Sequence, residues 1–104
     1  MIIQYLVKPS DLKRYLEDIL IEGECEEDDP ELNAVLFNQL LERLDLKLFN
    51  ELSEFLSEEE VEGILSLLKT NPSAAEVQGL LLELLPDVSE ITTRVLTEFR
   101  EFYV

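Results

Sequence analysis

Ser57-Glu58-Glu59-Glu60-Val61-Glu62-Gly63-Ile64-Leu65 and, sixteen positions on, Ser73-Ala74-Ala75-Glu76-Val77-Gln78-Gly79-Leu80-Leu81 state one phrase twice: S-x-x-E-V-[EQ]-G-[IL]-L. Serine followed three residues later by glutamate is the signature of a capping box, in which the two side chains satisfy amide groups that a helix start leaves without partners. Each phrase therefore predicts a helix beginning just after its serine. Val61, Ile64, Leu65 and Leu68 make the buried stripe of the first, and Val77, Leu80, Leu81, Leu84 and Leu85 that of the second. Thr70-Asn71-Pro72 ends one helix and turns into the next. A phrase that occurs twice falls short of a solenoid, for which three or more units are needed. Shared capping logic accounts for it equally well. Gly63 and Gly79 fall at equivalent helical positions, each at a cost of about 1 kcal/mol relative to alanine. The expected compensation is close approach of a neighbouring helix at both.

Upstream, Asp29-Pro30 supplies a capping side chain followed by proline at the first helical position. Leu32, Val35, Leu36, Leu40 and Leu44 form the stripe of that helix, widened by Phe37 and Leu41. A stripe so broad implies burial against several neighbours. Near Asp45 the register changes to Leu48, Phe49, Leu52, Phe55 and Leu56, which predicts a kink or short break. Further upstream, Ser10 after Pro9 reads as the N-cap of a helix carrying Leu12, Tyr15, Leu16, Ile19 and Leu20, with Gly23 its left-handed terminator. Residues 2–7 are largely apolar and read as a strand, an extended arm or a helical turn, packed across the bundle or across a second subunit. In a strand, alternation puts Ile3, Tyr5 and Val7 on one side. Downstream, Pro86-Asp87 closes one helix, and Asp87 with Glu90 offers a third capping pair. The last stripe is Val88, Ile91, Val95, Leu96, Phe99, Phe102 and Tyr103, whose terminal aromatics point to docking rather than fraying.

The expected fold is all-α: an irregular bundle of five to six short amphipathic helices preceded by a short apolar arm. With 104 residues, the chain reads as one domain, divided into arm 1–9, acidic loop 24–29 and main bundle 30–103. Leucine and glutamate dominate, a composition that favours helix over sheet. The apolar N-terminal run lacks a basic flank and ends at Lys8-Pro9, too short for a signal or a membrane span. Cys25 is the single cysteine, so no disulfide can form within the chain. A soluble, cytoplasmic protein is the expectation.

The order of features over residues 32–103 resembles a small acidic all-helical bacterial domain of unknown function. A leucine-rich helix leads to Leu44-Asp45-Leu46, then Leu56-Ser57-Glu58-Glu59-Glu60, Asn71-Pro72-Ser73, Leu85-Pro86-Asp87 and Leu96-Thr97-Glu98-Phe99. The resemblance implies a fold and brings no substrate, partner or active site with it.

Charge narrows the functional classes. The formal net charge is −16, and its placement matters more than its size. Residues 17–31 hold nine acids and no base; residues 51–62 hold six acids and no base. The rest of the chain carries nine acids against eight bases. Such a field disfavours direct binding of nucleic acid or anionic membrane and attracts a basic partner. The candidate partner-binding residues are accordingly Glu24, Glu26, Glu27, Asp28 and Asp29 in the loop, with Glu54, Glu58, Glu59 and Glu62 in the second segment. A solvated, solubilising loop is the plainer reading of the first group.

Chemistry finds little foothold. The loop lacks the spacing and turn glycine of a calcium site, so no metal is expected. Cys25 sits among acids that disfavour its thiolate, and the chain contains no histidine to pair with it. No phosphate loop, dinucleotide fingerprint or nucleophile elbow is present, and no cofactor is expected. The function expected is non-enzymatic: binding a basic or partly apolar surface of another protein, with acidic segments orienting the encounter and an apolar groove between helices holding the contact. The alternatives are a nucleic-acid mimic that occupies the basic groove of a DNA- or RNA-binding protein, and a structural subunit that assembles with itself, a homodimer included.

Overall fold

In the computed structural model, which describes residues 2–23 and 29–103, six helices follow one another in chain order. They are α1 (Ile3–Leu6), α2 (Pro9–Glu22), α3 (Pro30–Glu54), α4 (Glu58–Leu68), α5 (Ala74–Leu84) and α6 (Val88–Tyr103). No strand occurs among the described residues, and the all-α bundle expected from the sequence is what forms.

The long helix α3 organises the bundle. Its 25 residues span about 37 Å at a rise of about 1.5 Å per residue, most of the 44 Å long dimension of the molecule. The break expected near Asp45 is absent. Leu40, Leu44, Leu48 and Leu52 are all buried at strict four-residue spacing. Each such step overshoots a full turn by about 40°, so the apolar stripe winds around an unbroken helix. The change of register in the sequence is this rotation of the buried face.

Asp45 itself serves another helix. Its carboxylate accepts a hydrogen bond from the backbone N–H of Ile3, the first residue of α1, at 2.8 Å. At the other end of α1, Gln78 Nε2 donates to the Tyr5 carbonyl at 2.6 Å. One helical turn is far too short to persist alone in water. Here α3 and α5 each satisfy one end of it, and Ile2 and Ile3 are driven side by side into the core. Residues 2–7 are thus a helical turn lying across the bundle, and the alternation read from Ile3, Tyr5 and Val7 does not describe their burial.

At the start of α2 the expected cap moves by two residues. Lys8 occupies the N-cap in extended conformation, Pro9 is the first helical residue, and Ser10 lies inside the first turn. Proline is pre-shaped for that position and lacks the amide that would go unpaired there. Gly23 does end α2, but with φ −82° and ψ 2°, so the left-handed freedom of glycine is not what places it. Asp29 behaves as read: its carboxylate accepts from the Glu31 N–H at 2.9 Å, and Pro30 follows.

The paired phrases at α4 and α5 diverge in use. Ser57 and Glu60 form the full reciprocal box, with bonds of 3.2 and 2.9 Å. Ser73 accepts from the Glu76 N–H at 3.2 Å, and the return bond is missing. Burial differs too: Ile64 is buried and Leu65 exposed in α4, whereas in α5 Val77 and Leu81 are buried and Leu80 only partly. The phrase sets where each helix starts, and packing sets which face is covered. Asn71, at φ 55°, takes the left-handed turn between them.

Gly63 and Gly79 correct a firmer expectation. Both are exposed, and a Cβ built at either would meet nothing within 4 Å. No neighbouring atom stands where a side chain would project at either glycine, and the buried positions are Ile64 in α4 and Val77 and Leu81 in α5.

The last helix, α6, lies along α3 and buries Val88, Ile91, Thr92, Val95 and Phe99. The buried Thr92 hydroxyl donates to the Val88 carbonyl at 2.7 Å, which removes the penalty of an unpaired polar group. Phe99, Tyr103 and Phe102 step along the end of α6 in tilted and edge-on contact, with centroids 4.9 and 5.0 Å apart. Phe99 docks as expected, while Phe102 remains 81% exposed.

Candidate protein-binding groove

Helices α2 and α3 are consecutive and pack against each other along their apolar faces. They do not close completely. A groove of about 930 Å³ runs between them. Leu12, Leu20 and Ile21 of α2 and Ala34, Phe37 and Leu41 of α3 supply its apolar lining. Gln4, Lys13, Glu17, Asn33 and Asn38 stand among the polar residues that line it. Leu12 and Leu20 are buried, Phe37 and Leu41 half-buried, and Ile21 58% exposed. The sequence signal for it is the width of the α3 stripe: Phe37 and Leu41 widen it beyond what the chain's own helices cover.

The groove is polarised. Its lining pairs Ile21 with Asn33 and Ala34 at the α2–α3 tip, and Gln4 and Pro9 with Leu41 at the opposite end. From residue 17 to residue 42 the sequence contains no base. Asp18, Glu22, Asp29 and Glu31 are the described acids toward the tip, Lys13 and Glu17 lie together midway along α2, and the other end carries Lys8 and Arg14 beside Asp11 and Glu42. Arg100 of α6 pairs with Glu22. Lys13 lies 3.9 Å from Glu17, but both side chains are well exposed, so that pair is worth little.

Of the expected acidic contacts, Glu24, Glu26, Glu27 and Asp28 lie outside the described residues, as does Cys25. Asp29 is exposed and caps α3. In the second segment, Glu54, Glu58, Glu59 and Glu62 are exposed, whereas Glu51 pairs with Arg94 at 2.9 Å and Glu60 completes its capping box. The two acidic segments flank opposite ends of α3, with Asp29 and Glu54 separated by about 37 Å of helix. Among the described residues, the two groups do not come together into one surface. In the α3–α6 seam Arg94 bridges Glu51, the first acid of the second segment, to Glu98, and Lys47 meets Glu98 at 3.3 Å.

At the far side of α2, Tyr15 donates its hydroxyl to the Leu96 carbonyl at 2.5 Å. Burial pushes its pKa from 10.0 up to about 12, against the opposing pull of the Arg100 guanidinium. This bond ties α2 to α6 and holds the back of the groove. Among the described residues no cluster of three or more His, Cys, Asp or Glu is arranged to hold a metal ion, and no helix is long and apolar enough to cross a membrane. No family model matches the chain, nor does any curated protein or solved structure, so the geometry of the groove is the guide to its use.

Proposed function

We propose that the chain is a non-enzymatic protein-binding module that holds its partner in the α2–α3 groove. The observation that carries this reading is an open groove with an apolar floor, bordered by charged and amide side chains. Lasting contact between proteins comes from apolar anchors seated in such a depression, and the polar rim adds selectivity. The acidic tip speeds encounter with a basic surface and repels nucleic acid and anionic membrane. A cytoplasmic setting fits, since Cys25 has no second thiol in the chain to pair with.

The test is a selection of random 16-residue peptides displayed on phage against the immobilised protein. Ala34→Arg places a long cation on the groove floor at an exposed helical position, and Leu46→Arg does the same at an exposed site outside the groove. Enriched peptides are expected to bind Ala34→Arg at least tenfold more weakly than wild type while binding Leu46→Arg normally. Failure to enrich any peptide, or binders indifferent to Ala34→Arg, would overturn the proposal.

A further inference from the structure

If the groove is the binding site, its shape and polarity specify its occupant. We infer that the partner element is an amphipathic α-helix of about three turns, with lysine or arginine concentrated in its N-terminal half. It lies along the groove with that end at the α2–α3 tip.

Length comes first. The α2 wall from Pro9 to Ile21 rises about 18 Å, which matches a helix of about twelve residues lying alongside. A third helix laid on a helical pair presents apolar residues at i, i+3, i+4 and i+7, and the floor offers Phe37 and Leu41, themselves four apart, to receive them. A small-molecule site would instead place a few buried polar groups converging on the ligand. Gln4, Lys13, Glu17 and Asn38 are exposed, and among the described residues no buried side-chain polar atom is left without a partner. The groove thus offers apolar area along its length and selectivity only at its borders.

Charge then sets the direction. Asp18, Asp29 and Glu31 lie toward the tip with no base from residue 17 to residue 42, whereas at the opposite end Lys8 and Arg14 are offset by Asp11 and Glu42. A helix with cations at one end is attracted more strongly with that end at the acidic tip than at the near-neutral end. The backbone dipole of the bound helix reinforces the choice, because its positive N-terminal pole then faces the acidic tip. The incoming helix therefore runs parallel to α3 and antiparallel to α2.

Three synthetic 14-residue peptides with one shared apolar stripe test this: one with three lysines in its N-terminal half, one with the same lysines in its C-terminal half, and one with glutamines throughout. Each is titrated into ¹⁵N-labelled protein at low salt, up to millimolar concentration. The N-terminal-lysine peptide is expected to bind at least fivefold more tightly than the other two, to shift the amides of Ala34, Phe37 and Leu41, and to lose that advantage on Asp18→Asn/Glu31→Gln. Equal binding by all three overturns the charged, oriented helix and leaves the groove standing. No shift at the groove amides with any peptide, together with failure of the phage selection, removes both readings.

Discussion

Asp45 accepts the Ile3 N–H from a point forty-two residues further along the chain, and so caps a helix to which it does not belong. A mid-helix aspartate beside Leu44 looks from the sequence like an interruption of α3. In the structure it is the fixed acceptor that lets a single turn persist. Removing an N-cap acceptor costs about 0.5–2 kcal/mol. Asp45→Ala is therefore expected to lower unfolding free energy by about 1 kcal/mol in urea titrations, with Asp45→Asn losing less. Hydrogen exchange at Ile3 should accelerate in Asp45→Ala well beyond exchange at Val95.

Gly63 and Gly79 occupy open helical surface, so alanine fits without displacing anything. Each Gly→Ala substitution is expected to stabilise the protein by about 0.4–1 kcal/mol through lost freedom of the unfolded chain. The two should add in a thermal melt. A loss of stability at either would mean that a neighbour does approach closely.

Ser57 and Ser73 look interchangeable in sequence and are not in structure. Ser57 is one half of a reciprocal pair, whereas Ser73 makes a single bond. Ser57→Ala is expected to cost about 1–2 kcal/mol and Ser73→Ala about 0.5–1 kcal/mol. Glu76→Ala should be nearly silent beside Glu60→Ala, as read from chemical denaturation.

Tyr15 gives the fold an alkaline limit. Its folded pKa is raised from 10.0 to about 12 by burial, so the folded chain resists deprotonation that the unfolded chain accepts. The stabilisation is complete below pH 10 and is lost as pH rises from 10 through 12. Tyr15→Phe should lower stability at pH 7 by about 1 kcal/mol through the missing bond to Leu96. It should also flatten the fall in melting temperature above pH 10.

The helix starts were legible because caps are local: Asp29-Pro30 and Ser57…Glu60 act within four residues of themselves. The helical class followed from the same periodicity. What escaped was set by distant neighbours. Asp45 and Gln78 find their partners in α1 across 42 and 73 residues of chain, and no local pattern announces that. The glycine positions invited a packing explanation because no intrinsic gain was visible, yet packing leaves them open. The groove was half-legible: Phe37 and Leu41 broadened the α3 stripe, but only the spacing of α2 against α3 shows that the chain leaves that breadth uncovered.

The grip of Gln78 on Tyr5 spans seventy-three residues, which gives synthesis an awkward order. At about 5–20 residues per second, roughly 4 to 15 seconds separate the appearance of Tyr5 from that of Gln78. Throughout that interval Ile2 and Ile3 have no α5 to bury against, and two residues of the finished core wait for one of its walls. Helices α2 and α3 can form meanwhile, since their contacts are local, but the N-terminal turn must wait. A ribosome makes the plug first and the socket last.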